Sequence, residues 1–229
     1  MQITGDQSKT LYSERYQQTY HSKHGAVNES LQVFVRGSTV ATRLARQQAT
    51  RVLEIGFGLG LNFVLTADLA IEHGCQLEYI AVEHAPISAS QFAKLDYQHW
   101  LQNNEPIATV HSVLRRDSQQ SPLPNNGYLE LHVEDAVSPD LHVRLADAPS
   151  FDAIYLDAFS PDVNPECWTQ PFFSLLNHLL TPNGVLATYC VKGTVRRNLA
   201  AAGFNVIKAP GPPGKREILT ATPTTAHNR

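Results

Sequence analysis

At 229 residues, 42% hydrophobic and 17% charged, the chain is long enough for one sizeable domain and short for two complete ones, and its balance excludes disordered and fibrous classes. A net charge of −3 argues against a general nucleic-acid binder, and no apolar run approaches the roughly eighteen residues that span a bilayer. The N-terminus lacks the apolar core of a signal peptide, and the three cysteines form no CxxC pair and have no His at metal spacing. A reduced, cytoplasmic protein with no membrane partner and no metal is expected.

Residues 1–50 stand apart as an N-terminal extension that packs on the core. Within it LQVFVRGSTVATRL (31–44) reads as a short β-hairpin with Gly37-Ser38 at its turn. From 51 to 229 strands and helices alternate. Strands are expected at 52–58, 77–83, 128–135, 151–157, 184–190, 204–209 and 216–222. Helical patterns cover 61–73, 86–101, 137–147, 169–180 and 194–202, whereas the polar, proline-bearing stretch 103–127 reads as a long loop. This order predicts an α/β, Rossmann-like, mostly parallel seven-stranded sheet. Its last strand is antiparallel, because PGPPG (210–214) is too short for a helical crossover.

Charge is uneven along the chain. Residues 1–51 hold seven Lys/Arg against three Asp/Glu, residues 52–190 four against seventeen, and residues 191–229 seven against one. Two basic ends flanking an acidic middle are equally consistent with a solvated surface and with termini that hold an anionic partner.

EIGFGLG (54–60) places Gly56, Gly58 and Gly60 after the first core strand, a G-x-G-x-G pattern rather than the G-x-G-x-x-G of a dinucleotide site. Glu54 just before them suits a cation better than a pyrophosphate. Glu83 ends the second strand, where a carboxylate can accept both ribose hydroxyls. Asp135 follows the third, where it can accept from an adenine amino group or cap the next helix. Together these acids and glycines point to S-adenosylmethionine, which has no phosphate and carries an ammonium and a sulfonium.

The fourth strand ends on Asp157 and leads into AFSPDVNPECW. A carboxylate facing a methyl donor suits a nitrogen nucleophile: an alkyl ammonium must lose a proton before its lone pair can attack, and the transition state builds positive charge on nitrogen. Phe159, Pro161, Pro165 and Trp168 form a stiff, aromatic stretch, with base stacking and ordinary core packing both open for Trp168.

YHSKHGAVNESLQVFV, VLEIGFGLGLNF, YLDAFSPDVNPECW, VRRNLAAAGF and GPPGKREIL occur in an order that resembles the tRNA 5-methylaminomethyl-2-thiouridine methyltransferase family, from about Tyr12 to Ala221. The resemblance implies a class I S-adenosylmethionine-dependent methyltransferase acting on the 5-aminomethyl group of a wobble uridine in the tRNA anticodon stem-loop. It assigns Asn28, Glu29, Ser30, Glu54, Gly56, Gly58, Gly60, Asn62, Glu83 and Asp135 to the cofactor site and makes Asp157 the catalytic carboxylate. Lys192, Arg196, Arg197, Lys215 and Arg216, with Phe159, Pro161 and Trp168, would meet tRNA. Many family members add an FAD-dependent oxidoreductase domain. This chain resembles the stand-alone form, which implies no flavin and action after a separate enzyme that supplies the aminomethyl precursor.

Where the commoner motif reads LDGFAP, this chain has Ala158 and Ser160. An aminopropyltransferase on the same fold is the main rival, but it would call for a heavily acidic site without a basic rim. A non-catalytic binding module would have no need of Asp157.

Overall fold

The apolar runs at 50–55, 77–82 and 151–156 are buried on both faces, as the central strands of a helix-covered sheet must be. The computed structural model describes residues 1–115 and 119–224. Two small hairpins open the chain, β1 (Gln2–Ile3) with β2 (Lys9–Thr10) and β3 (Tyr12–Ser13) with β4 (Gln18–Thr19). Next come α1 (Ala26–Ser30), a π-helical segment Leu31–Arg36 and α2 (Val40–Ala45). The core then runs β5 (Thr50–Ile55), α3 (Leu61–Glu72), β6 (Leu77–Val82), α4 (Ala89–Leu95), α5 (Glu105–Leu114), β7 (Gln120–Pro122) and β8 (Tyr128–His132). It continues through α6 (Pro139–Asp147), β9 (Phe151–Leu156), α7 (Gln170–Leu179), β10 (Leu180–Thr188), α8 (Gly193–Ala201), β11 (Phe204–Pro210) and β12 (Glu217–Pro223).

These core strands form one sheet in the order β11-β12-β10-β9-β5-β6-β8-β7. The five from β10 to β8 are parallel, and β12 runs antiparallel to both β10 and β11. Chain direction across the sheet reverses at β5, so a crevice opens beyond the carboxyl ends of β5 and its neighbours, where open α/β sheets bind ligands. Alternate residues feed two apolar layers. Val52, Tyr79, Ala153 and Tyr155 face α1, α2, α3 and α5, while Leu53, Ile55, Ile80 and Leu156 face α6, α7 and α8. Among the described residues no helix is long and apolar enough to cross a membrane.

The expected Rossmann-like α/β architecture with its antiparallel end is present, with three differences. The sheet has eight strands rather than seven, because β7 adds an antiparallel edge strand to β8. The N-terminal hairpins lie before residue 20, and 31–44 is helical rather than a hairpin. Val33 and Val35 suggest alternation, but Val27, Leu31, Phe34 and Val35 recur at helical spacing and pack with α3. Finally, 103–127 is not a loop throughout. Pro106 sits in the first turn of α5, whose Val110 and Val113 are buried.

Candidate active site

Strand β5 hands the chain to the glycine loop, and Gly56 turns it at φ 91°, where a Cβ would lie 2.7 Å from the Asp157 carbonyl oxygen. Only glycine allows this approach, which lets the Asp157 N–H donate to the Ile55 carbonyl at 2.9 Å. At the tip of β6, Glu83 accepts from the Gly58 N–H and the Ala85 N–H, both at 2.9 Å, so the acid and the glycine loop fix each other. Asp135 accepts from the Val137 N–H at 3.1 Å rather than capping α6, whose N-cap is Ser138.

These groups line a cleft of about 770 Å³. Its floor carries Asp157, held through Asn62: the Asn62 Nδ2 donates to Asp157 Oδ2 at 2.9 Å and to Glu54 Oε1 at 2.7 Å. Ser30 Oγ donates to Asn62 Oδ1, and the Tyr79 hydroxyl donates to Glu54 Oε2 at 2.9 Å. Burial pushes the Glu54 carboxyl up to about 8. Burial also holds Asp157 well above the usual carboxylate range, reinforced by the charges of Glu54 and Glu29 and opposed by the Asn62 hydrogen bond and Lys215.

The rim comes from the chain's two ends. Lys215, in the turn between β11 and β12, donates to Glu29 Oε1 at 2.6 Å and lies 4.5 Å from the Tyr189 ring centroid. Glu29 Oε2 accepts from the Ser22 N–H at 2.8 Å. From the β3–β4 hairpin, Tyr16 stacks on Phe159 at 4.3 Å between centroids, and Tyr20 meets the same ring edge-on at 5.1 Å. His21 also lines the cleft, its imidazole pushed down to about 4 by burial and therefore neutral.

The structure gathers Glu29, Gly56, Gly58, Asn62, Glu83, Asp135, Asp157, Phe159 and Lys215 on the cleft wall. Glu54 and Ser30 sit behind Asn62, fully or nearly fully buried. Gly60 forms the N-cap of α3 behind the wall, and the exposed Asn28 gives its N–H to Asp6. Trp168 is only 3% exposed, edge-on to Phe173 and Tyr189, and its Nε1 donates to the Phe159 carbonyl at 2.8 Å. It braces the Asp157 loop from the core, and neither it nor Pro161 lines the cleft. Lys192, Arg196, Arg197 and Arg216 are exposed, with Lys192 paired to Asp162. Sequence reasoning missed Tyr16, Tyr20, His21 and Tyr189. Tyr189 carried a local signal as the residue that follows the buried strand β10, and Tyr20 and His21 open the motif YHSKHG.

The donor set fits S-adenosylmethionine. Glu29, Glu83, Asp135 and Asp157 supply carboxylates for a cationic ligand with ribose and amino donors, and the backbone turns tightly at Gly56 and Gly58. Among the described residues no three His, Cys, Asp or Glu are grouped to hold a metal.

A family model described as S-adenosyl-L-methionine-dependent methyltransferase matches residues 91–224. The tRNA 5-methylaminomethyl-2-thiouridine biosynthesis bifunctional protein MnmC of Cupriavidus metallidurans is 34% identical over 223 residues, covering 93% of this chain and 32% of that protein. MnmC of Pseudomonas entomophila is 31% identical over 237 residues, covering 98% and 35% respectively. The chain therefore spans about a third of the length of these curated relatives. The crystal structure of MNMC2 from Aquifex aeolicus superposes with a TM-score of 0.77 at 29% identity, covering 97% of this chain and 69% of that one. With more than half of its residues matched by the family model, the chain belongs to the S-adenosyl-L-methionine-dependent methyltransferase family.

Proposed function

We propose that this protein methylates the 5-aminomethyl group of a wobble uridine in the anticodon stem-loop of tRNA, working in the cytoplasm after a separate enzyme has exposed the amine. One observation carries the reading: a carboxylate, Asp157, fixed by Asn62 on the floor of a cleft that opens toward an aromatic rim. The similarity to MnmC proteins supports the substrate class.

S-adenosylmethionine, when bound, supplies an electrophilic methyl group. Glu83 would accept from its ribose, Asp135 from its adenine amino group, and Glu29 would face its ammonium. Asp157 takes the proton from the substrate ammonium, so that the nitrogen lone pair is free when the N–C bond forms and the C–S bond breaks. A carboxyl raised by burial is the better proton acceptor for an amine, because proton transfer is most effective when the two acidities approach each other. The Asp157 carboxylate then stabilises the cationic nitrogen as it forms. The Tyr16–Phe159 stack offers a face for a base. Exposed Arg196, Arg197 and Arg216, with Lys192, would meet the phosphate backbone. The exposed bases on and beside α8 favour an anionic polymer over a polyamine.

Mass spectrometry of wobble nucleosides tests the proposal. Cells lacking the protein should accumulate 5-aminomethyluridine or its 2-thio form, and purified protein with S-adenosylmethionine should convert it. An unchanged nucleoside profile would sink the reading.

A further inference from the structure

Asn62 has one acceptor and two donors to satisfy, and the structure accounts for all three. Its oxygen takes the Ser30 hydroxyl, and its two N–H groups go to Glu54 and Asp157. That arrangement fixes which way the amide faces. Turned over, its oxygen would face Glu54 and Asp157, and an ionised carboxylate there has no hydrogen to give it. Glu54 is 0% exposed, does not line the cleft, and is held from behind by Tyr79, itself 0% exposed. A fully buried acid that touches no ligand space has no direct part in binding the cofactor. Its one route to the cleft is through the Asn62 amide.

We propose that Glu54 is a positioning residue for methyl transfer: through Asn62 it orients the Asp157 carboxylate, and it makes no contact with the cofactor. The inference rests on the proposed role of Asp157. Glu54, on β5, and Asp157, beyond β9, are bridged by a single N–H₂, so they behave as a pair that resists carrying two charges at once. The other ionisable groups acting on Asp157 are Glu29 from α1 and Lys215 from the β11–β12 turn, with the tyrosine hydroxyls of Tyr79 on β6 and Tyr189 after β10 also in its field. Of these, only Glu54 shares a hydrogen-bonding residue with Asp157. Removing its charge while keeping its shape should therefore let Asp157 ionise at lower pH.

The test measures methyl transfer to tRNA bearing 5-aminomethyluridine against pH, together with S-adenosylmethionine affinity by calorimetry. Glu54→Gln keeps an oxygen for Asn62 but removes the charge, so cofactor affinity should stay within about threefold of wild type while kcat falls about fivefold and the acid limb of the profile moves to lower pH. Ser30→Ala, a smaller change that frees the amide to turn, should lower kcat about tenfold with cofactor affinity intact. A Glu54→Gln variant that loses cofactor affinity in step with rate, or whose acid limb stays in place, overturns the inference. If wild-type protein leaves that tRNA unmethylated, the functional reading fails instead. The Asp157 carboxyl carbon, followed by ¹³C NMR and assigned by its loss in Asp157→Asn, then decides the charge coupling. Titration at lower pH in Glu54→Gln upholds it, and unchanged titration overturns it.

Discussion

The cleft has a floor and a rim, and they are built in different ways. The floor belongs to the sheet: Glu54, Tyr79, Asn62 and Asp157 come from β5, β6, the first turn of α3 and the end of β9, and hydrogen bonds tie them to one another. The rim belongs to the chain ends. Glu29 and Lys215 meet across 186 residues of sequence, and Tyr16 reaches Phe159 from a two-residue hairpin strand's neighbourhood. Rigid elements place the proposed reacting group, Asp157, and long-range contacts between irregular segments shape what can reach it. Chemistry should therefore fail when the floor changes, and recognition when the rim does.

The largest effect is expected at the floor. Asp157→Asn keeps the shape and loses the charge, so kcat should fall by about 10³-fold while S-adenosylmethionine still binds. Single-turnover kinetics beside calorimetry separate the two. Near-normal turnover would remove Asp157 from the mechanism and, with it, the distinction between floor and rim.

The floor was legible in the sequence because strand ends are local features. An apolar run, then Glu54 and the glycines, or Leu156 then Asp157, marks where a buried strand meets the crevice, and the alternation of elements orders those ends across the sheet. What could not be read was orientation. Glu54 occupies the position of a cation-binding acid, yet the pleat turns it under Asn62 toward Tyr79. Lys215 looked like a surface base among other bases, and it turns inward only because Glu29 and Tyr189 are there to receive it. The fold was misread at 31–44 for a related reason: two alternating valines mimic a strand until Val27 and Leu31 are counted on the same helical face.

The Glu83 carboxylate holds the glycine loop through the Gly58 N–H, and in the proposed reading it also accepts from the cofactor ribose. Losing charge-assisted hydrogen bonds of this kind should weaken S-adenosylmethionine binding about 10- to 100-fold in Glu83→Ala. Titration calorimetry checks it, and unchanged affinity would place the ribose elsewhere.

At the outer surface, charge reversal of Arg196 and Arg197 on α8 should leave cofactor binding alone and weaken tRNA binding. If each meets one phosphate, the slope of log affinity against log salt should become shallower by about 1.5. A slope identical to wild type would show that α8 lies off the tRNA path.

The smallest effect concerns stability rather than activity, and it separates the floor from the rim by pH alone. The Glu54 carboxyl, about 8 in the folded protein against an ordinary 4.5, keeps a proton that the unfolded chain releases between those two values. The folded state binds the extra proton, so its contribution to stability is fully present below pH 4.5 and is lost as pH rises toward 8. Glu54→Gln has no proton to release there, so its melting temperature should decline less steeply than wild type across the same window. Rim ion pairs such as Lys215–Glu29 remain intact in the variant. Any slope that survives belongs to the other shifted groups, Asp157 and His21 among them, while parallel wild-type and variant curves would mean that Glu54 is ionised in the folded protein throughout.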